Sequence, residues 1–320
     1  MLKDIKTFQF NERSVPENKD DEILLKVSHC ALCRTDAKMW ESGHRDLILP
    51  RIIGHEICGC IQGTNEYFVA WPGKACGCCF QCKRKLENLC VEMQITGFHR
   101  DGGLAEFVSL PKRSLVAVPK ELPKHIASFA EPLACCLNAL DQAEVTRNEQ
   151  VLIYGGGTVG LLMAMATIDR GAIPFVIEKN RLKFEKSKGF RGNLGIDGMV
   201  LSLEKERSEF DVVINATSSL NVLSEGISRL RSGGYYCLFS GFVEKTHIPI
   251  SLINEIHYRQ IHIVGAYGCT HHQMERAVKI LHHYQKEVAF LIEEIITLEE
   301  VSDVITKILK GTVFKYIVEF

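Results

Sequence analysis

The second half of the chain alternates short apolar runs with segments of helical periodicity, and this alternation limits the possible folds more than any other feature. The apolar runs occupy residues 151–154, 175–177, 199–201, 211–216, 235–240 and 261–264. Runs of this kind are typical of a parallel sheet that helices cover on both faces. The sequence therefore predicts an α/β domain with a doubly wound parallel sheet.

A glycine-rich turn, GGGTVG, directly follows the first of these runs. Gly155, Gly157 and Gly160 occupy the first, third and sixth positions of the pattern G-x-G-x-x-G. They allow, respectively, a tight turn, a close approach of the backbone to a pyrophosphate, and close packing of a helix on a strand. Thr158 and Val159 would begin that helix, whose N-terminus presents free N–H groups to phosphates. The pattern indicates a dinucleotide-binding site of the Rossmann type.

An acidic residue stands where such a site needs one. Glu178 follows the second apolar run, about twenty residues after the glycine-rich turn. A carboxylate there can accept hydrogen bonds from the adenosine ribose hydroxyls and would repel a 2′-phosphate, so we expect NAD rather than NADP. Lys183, one helical turn further on, is either a ribose contact or a solvated lysine.

The rest of the chain has a different pattern. Short β-like runs at 23–27, 52–61, 107–110 and 115–118 lie among Gly, Pro and Cys residues. After the parallel sheet, we expect helices over 273–284 and 298–309 and a final strand over 313–319. A chain of 320 residues is expected to hold two domains, since one domain typically takes roughly 150 residues. The short β-like runs before the parallel sheet predict that the first domain is irregular and mainly β.

Five cysteines are concentrated within the segment 76–90. Cys76, Cys79, Cys82 and Cys90 are separated by two, two and seven residues, and four thiolates at such spacing can surround one Zn²⁺ tetrahedrally. This closed set has no open position, so we expect a structural zinc. The alternatives are buried or redox-active thiols, or a ligand set in which Cys78 replaces Cys79.

Composition excludes several classes of partner and compartment. The chain has 38 Lys and Arg against 39 Asp and Glu, which gives no reason to expect a nucleic-acid or anionic-membrane partner. No apolar run is long enough to span a bilayer, and the first residues lack the apolar core of a signal peptide. We therefore expect a cytoplasmic protein whose 13 cysteines are reduced and whose clustered thiols bind metal.

Three further short motifs carry metal-ligand residues but are weak when taken singly. They are Cys33 with Thr35 and Asp36 in "CRTD", His55 with Glu56 in "GHE", and Glu131 in "EPL". Together with the glycine-rich turn and the four-cysteine lobe, they give a chain that resembles the zinc-dependent medium-chain dehydrogenases, the alcohol, sorbitol and threonine dehydrogenases. The resemblance runs from about residue 23 to the C-terminus, through "CALCRTD", "GHE", the four-cysteine lobe, "EPLA", "GGGTVG" and "FKYIVEF".

The resemblance implies a GroES-like, mainly β catalytic domain over 1–137, completed by 265–320, and a Rossmann NAD-binding domain over 138–264. It further implies a catalytic Zn²⁺ held by Cys33, His55 and either Glu56 or Glu131, with Thr35 as a proton-relay hydroxyl. The implied reaction transfers a hydride between a secondary alcohol, polyol or amino alcohol and NAD, with an alcohol or ketone as the small-molecule substrate. Relatives of this kind are usually homodimers or homotetramers.

Two departures from the family pattern are visible in the sequence. The histidine that usually ends the proton relay is replaced by Lys38, so the relay has three possible ends: Lys38, water or His44. The segment 59–69 is also short. Two other functions stay open: a zinc- and nucleotide-binding protein without turnover, and a zinc-free quinone-type reductase of the same superfamily.

Overall fold

The computed structural model describes residues 1–17, 21–196, 199–200, 209–242 and 247–320. The chain divides into two compact units, of which the first comprises Met1–Ala134 with Cys269–Phe320 and the second comprises Cys135–Gly268. Among the described helices, none is long and apolar enough to cross a membrane.

The strands and helices are numbered in chain order. The strands are β1 (Leu2–Asp4), β2 (Thr7–Phe8), β3 (Glu22–Ala31), β4 (Glu56–Ile61), β5 (Tyr67–Ala70), β6 (Gly73–Lys74), β7 (Gln94–Ile95), β8 (Phe107–Pro111), β9 (Leu115–Ala117), β10 (Gln150–Tyr154), β11 (Ile173–Ile177), β12 (Met199–Val200), β13 (Phe210–Asn215), β14 (Leu230–Leu238), β15 (His262–Gly265), β16 (Ile292–Ile296) and β17 (Lys315–Glu319). The helices are α1 (Arg34–Ser42), α2 (Phe80–Lys83), α3 (Lys124–Ala127), α4 (Ala130–Gln142), α5 (Thr158–Asp169), α6 (Arg181–Lys186), α7 (Lys188–Leu194), α8 (Asn221–Arg229), α9 (Ile250–Tyr258), α10 (His271–His283), α11 (Gln285–Val288) and α12 (Val301–Lys310). Short 3-10 helices cover Glu87–Leu89, Lys112–Ser114 and Ala289–Leu291.

The second unit contains the predicted parallel sheet. Its six strands lie in the order β12-β11-β10-β13-β14-β15, and every pairing between them is parallel. The order reverses at β10, so the carboxyl end of β10 lies at the switch point where doubly wound sheets bind ligands. The prediction of a doubly wound α/β sheet is confirmed. Leu201, the last residue of one predicted run, lies outside the described residues.

The apolar runs form this sheet because helices bury them. The central residues of β10 and β13 have no exposed surface, and neither do the residues of α5 from Leu161 to Ala166. A helix that is apolar on all sides belongs in an interior position. The buried α5 therefore packs on the sheet directly after the glycine-rich turn.

The first unit is built around a mainly antiparallel sheet. Seven strands are linked in the order β16-β17-β3-β4-β5-β9, with β8 paired to β3 off this path. Only β16 and β17 pair in parallel among these strands. The core includes residues of β3, β4 and β8 and the apolar face of α12. The expected mainly β unit is confirmed.

One predicted strand, over 52–61, begins later than expected. Strand β4 starts at Glu56, because the preceding segment pairs with the loop at 102–104 instead of continuing the sheet. Gly54 has φ +96°, and its carbonyl oxygen accepts a hydrogen bond of 2.9 Å from the N–H of Gly103. A Cβ on Gly102 would lie 2.2 Å from the same oxygen, so only glycine fits there. This close packing fixes the residues that follow, including His55.

Candidate active site and structural metal site

Cys33 caps the N-terminus of α1. Its backbone is extended (φ −91°, ψ 152°), and its N–H donates a hydrogen bond of 2.8 Å to Asp36 Oδ2, which closes a capping box. One residue earlier, the N–H of Leu32 donates to the carbonyl of Tyr316 in β17. The turn between β3 and α1 is thus held at both ends, and it fixes the position of the Cys33 thiol.

His55 and Glu56 reach the same place from β4. Glu56 is paired with Ala31, two residues before Cys33, across the β3–β4 ladder. The structure brings Cys33 Sγ, a ring nitrogen of His55 and a carboxylate oxygen of Glu56 within 4.8 Å of one another. Thiolate, imidazole and carboxylate are the groups that bind zinc in proteins, so this donor set fits Zn²⁺.

A buried carboxylate orients the histidine. Asp36 Oδ1 lies 3.4 Å from His55 Nδ1, and neither atom has a hydrogen bond within the part of the chain that the structure describes. Burial opposes a charge on His55, but the Asp36 carboxylate, the Cys33 thiol and the Glu131 carboxylate together outweigh it and raise the pKa of His55 well above its usual value. A carboxylate beside one ring nitrogen of a metal-binding histidine favours a proton there. Nε2 is then the nitrogen available to a metal.

Lys315 is a site residue that the sequence reasoning missed. Its Nζ donates to both carboxylate oxygens of Glu56 at 2.8 Å, and both side chains are buried. Burial disfavours the ammonium, but the Glu56 carboxylate, together with Cys33 and Glu131, outweighs it and raises the pKa of Lys315 to about 12. Burial also raises the pKa of Glu56, and Lys315 counteracts this effect. The sequence feature that could have revealed Lys315 is its position between Phe314 and Tyr316, in an otherwise apolar final strand.

Glu131 does not join the cluster of Cys33, His55 and Glu56. It lies in the first turn of α4, and its carboxylate is within 4.8 Å of the thiol of Cys269. Its charge nevertheless acts on His55 and on Glu56, so it belongs to the same neighbourhood. The structure thus places the carboxylate of Glu56 with the donor atoms of Cys33 and His55, and the carboxylate of Glu131 outside this set.

The side chains considered for the proton relay, Thr35, Lys38 and His44, lie on α1 or two residues after its end. Thr35 and Lys38 are half-buried and lie on α1, three positions apart on one helix face. Burial lowers the pKa of His44, and the charge of Lys38 lowers it further. The ring of Phe98 lies 5.3 Å from the rings of both His44 and His55, measured between centroids.

The four cysteines of the lobe between β6 and β7 also converge. Their sulfur atoms all lie within 4.8 Å of one another, with separations of 4.0 Å for Cys76–Cys82, 4.0 Å for Cys79–Cys90 and 3.6 Å for Cys76–Cys90. Tetrahedral zinc with Zn–S bonds of about 2.3 Å requires sulfur atoms about 3.8 Å apart, so the set fits one Zn²⁺. The backbone N–H groups of Cys78 and Cys79 lower the pKa of Cys76 to about 6, which favours the thiolate. The Cys78 side chain is exposed and is not part of the set.

The glycine-rich turn has the conformation and packing that require glycine. Gly155 has φ +104°, and a Cβ on Gly160 would lie 1.7 Å from the carbonyl oxygen of Gly155. Gly157 is the N-cap of α5, and Thr158 and Val159 are its first two residues. The N-terminus of α5 is therefore presented directly after β10, where it can receive a phosphate.

Glu178 is fixed beside this turn by the backbone. Its Oε2 accepts a hydrogen bond of 3.0 Å from the N–H of Gly156, and its Oε1 accepts one of 2.7 Å from the N–H of Asn180. Lys183 Nζ lies 3.9 Å from Glu178 Oε2 and 3.3 Å from the position that a Cβ on Gly157 would take. Lys183 is thus directed at the turn and lies beside the carboxylate of Glu178.

Comparisons with known proteins agree with this geometry. Residues 19–120 match the family model described as "Alcohol dehydrogenase GroES-like domain". The D-altritol 5-dehydrogenase of Agrobacterium fabrum is 29% identical over 312 residues, which cover 92% of this chain and 91% of the relative. A protein of Arthroderma otae named "Probable D-xylulose reductase A" is 30% identical over 261 residues, which cover 74% of this chain and 73% of the relative.

A solved structure extends the similarity over the whole chain. It is that of a Sinorhizobium meliloti protein described as a zinc-binding dehydrogenase, with NADP bound. It matches with a TM-score of 0.89 and 25% identity, covering 100% of this chain and 98% of that one. Since fold, motifs and relatives agree, this chain belongs to the zinc-dependent medium-chain dehydrogenase family.

Proposed function

We propose that this chain is a zinc-dependent dehydrogenase that transfers a hydride between a secondary alcohol, polyol or amino alcohol and NAD. The observation that carries the proposal is the convergence of Cys33, His55 and Glu56 within 4.8 Å in a protein that also has a Rossmann turn. The names of the relatives, an altritol dehydrogenase and a xylulose reductase, support a polyol or the corresponding ketone as substrate.

The chain's own residues would prepare the metal site for this reaction. Cys33, His55 and one carboxylate would hold a catalytic Zn²⁺, and three protein ligands leave a coordination position for the substrate. A bound Zn²⁺ would act as a Lewis acid that lowers the pKa of the substrate hydroxyl. Asp36 orients the His55 ring, and Lys315 compensates the charge of Glu56 in the buried site.

Glu56 is the better-placed of the two candidate carboxylate ligands. It lies within 4.8 Å of the Cys33 and His55 donor atoms, whereas Glu131 lies beside Cys269. Both oxygens of Glu56 accept hydrogen bonds from Lys315. A carboxylate has about four lone-pair sites, so ligation to a metal does not require the ion pair to break. We propose Glu56 as the third ligand, with Glu131 as the alternative.

The substrate proton would leave through the face of α1. The Thr35 hydroxyl is the proposed first carrier, because it lies in the first turn after Cys33. Lys38, three positions further along the same face, His44 and water are the candidates for the next step. We also propose that the protein is a cytoplasmic homodimer or homotetramer.

We propose NAD rather than NADP as the cofactor, and replacement of Glu178 with glutamine tests the choice. The substitution removes the charge that would bind ribose hydroxyls and repel a 2′-phosphate. Hydrogen bonds to charged groups contribute about 1.5–3 kcal/mol, so the affinity of Glu178→Gln for NADH should be lower than that of the wild type by a factor of about ten or more. NADPH should bind more tightly than to the wild type. Fluorescence titration with each dinucleotide measures both effects, and an unchanged NADH affinity would count against this role of Glu178.

Turnover itself is tested by offering sugar alcohols, diols and amino alcohols with NAD and following NADH absorbance. We expect NADH formation with at least one polyol, and none with the His55→Ala variant. A protein that binds NADH and zinc but oxidises none of these alcohols, and reduces none of the corresponding ketones, would instead be the binding protein without turnover.

A further inference from the structure

The four-cysteine lobe carries one thiol more than its metal requires. Four sulfur atoms form the metal-binding set, and the Cys78 thiol lies outside it. Within the segment 76–90, which the structure describes throughout, Cys78 is the one exposed cysteine, whereas Cys82 and Cys90 are buried. Neither the expected structural zinc nor the proposed hydride transfer uses this thiol. The lobe therefore presents an unligated thiol to solvent beside a closed ligand set.

Cys78 is in contact with one of the four ligands. The side chains of Cys76 and Cys78 are hydrogen-bonded to each other, and the N–H of Cys78 also donates to the Cys76 sulfur. Gly77 between them has φ +78°, a conformation that favours glycine, and the chain turns there. An unstrained disulfide needs Cα atoms about 4.4–6.8 Å apart, a separation that a turn over one residue allows. Cys76 and Cys78 thus form a dithiol rather than two separate thiols.

The other chain neighbour of Cys78 is a poorer partner. Cys79 follows Cys78 directly, and consecutive Cα atoms are about 3.8 Å apart, which is below the range for an unstrained disulfide. Cys82 and Cys90 are buried within the ligand set. Cys76 is therefore the ligand with which Cys78 can pair.

A cation lies beside this dithiol. The guanidinium of Arg113 donates a hydrogen bond to the carbonyl of Ala75, and one of its nitrogens lies 3.2 Å from the position that a Cβ on Gly77 would take. A positive charge next to a sulfur nucleophile is typical of cysteines that react with oxidants. Cys76 is half-buried, so a small oxidant can reach its sulfur.

We propose that Cys76 and Cys78 are a site of oxidative modification, at which hydrogen peroxide joins the two sulfurs in a disulfide and the lobe releases its zinc. The Cys76 thiolate attacks the peroxide and cleaves its O–O bond, which gives a sulfenic acid and a hydroxide that takes a proton from solvent. The Cys78 thiol then attacks this sulfur, so that the S–S bond forms and water leaves.

The disulfide removes one of four zinc ligands. Three thiolates remain, and structural zinc sites are almost always four-coordinate, so the lobe should bind the metal less tightly. The electrons balance, because the two sulfurs lose two electrons and the peroxide is reduced to two molecules of water. An exposed disulfide is easily reduced, so a thiol reductant should reverse the modification.

Zinc release and disulfide formation are measured together on the full chain. The wild type is treated with hydrogen peroxide while a chromogenic chelator reports free zinc. The tryptic peptide 75–83, which lies between Lys74 and Lys83, is then analysed by mass spectrometry. We expect release of the lobe zinc and a peptide lighter by two hydrogen atoms, with fragments that place the bond between Cys76 and Cys78. A thiol reductant with added zinc should restore the metal content.

Matched variants assign the effect to Cys78. In Cys78→Ser the second thiol is missing, so zinc release should be slower by about tenfold or more, as expected when an intramolecular reaction partner is lost. Cys60→Ser, which changes a half-buried cysteine of the same unit outside the lobe, should release zinc at the wild-type rate. The same comparison in a His55→Ala background, which lacks a ligand of the proposed catalytic zinc, shows that the released metal comes from the lobe.

Three results would overturn the proposal. They are a wild type that keeps its lobe zinc and its thiols under peroxide, a Cys78→Ser variant that releases zinc as fast as the wild type, and a disulfide that does not include Cys78. A lobe without zinc before peroxide is added would contradict the structural zinc site together with this proposal. None of these results bears on the proposed hydride transfer, since turnover is not part of the readout.

Discussion

Replacement of Lys315 with methionine is expected to lower the free energy of unfolding by about 3–5 kcal/mol, because it leaves a buried carboxylate without its counter-charge. Lys315 and Glu56 are buried, and Nζ donates to both carboxylate oxygens. Methionine keeps much of the side-chain length but removes the charge and the hydrogen bonds. Urea denaturation of the metal-free protein measures the effect without the contribution of bound zinc.

Two further variants identify the cause of this loss. Lys315→Arg retains the charge and should lose less stability than Lys315→Met. The double variant Lys315→Met with Glu56→Gln removes both charges, so it should be more stable than Lys315→Met alone. If the double variant were as unstable as the sum of the two single variants, the loss would come from packing and not from the uncompensated charge.

Replacement of Cys90 with serine is expected to remove the structural zinc and to cost more than about 4 kcal/mol, since loss of a bound metal is among the few causes of effects this large. The lobe has little apolar packing of its own: Phe80, Leu89 and Val91 are exposed. The four thiolates and the metal would therefore supply its stability. Thermal unfolding and limited proteolysis of the segment 76–90 measure the change.

The neighbouring cysteine supplies the matched control. Cys78 lies in the same lobe but is exposed and outside the set of four sulfur atoms. Cys78→Ser should retain the wild-type zinc content and stability. A loss of zinc in Cys78→Ser equal to that in Cys90→Ser would mean that the ligand set has been assigned wrongly.

The fold was predictable where the sequence pattern is local. Apolar runs separated by helical segments determine the parallel sheet, and the glycines at 155, 157 and 160 determine the turn that follows β10. The predicted start of β4 was wrong, because Gly54 packs against a loop almost fifty residues further along the chain. The periodicity of residues along a strand contains no information about such distant contacts. The family was predictable because the four-cysteine lobe and the glycine-rich turn occur together with three short motifs, each of which is weak by itself.

The site was predictable in its donors but not in its charge balance. Cys33, His55 and Glu56 belong to short motifs, whereas Lys315 reaches Glu56 from 259 positions away and has no motif of its own. A lysine in a strand is ordinarily exposed, and only the fold shows that this one is buried. The choice between Glu56 and Glu131 depends in the same way on tertiary contacts.

The zinc content of the purified protein tests the account most directly. Atomic emission analysis should find two zinc ions per chain in the wild type, one in Cys90→Ser and one in His55→Ala. The His55→Ala protein should unfold cooperatively and retain the zinc of the four cysteines. A wild type that contains a single zinc, or a His55→Ala variant with as much zinc as the wild type, would contradict the claim that Cys33, His55 and a carboxylate form a metal centre.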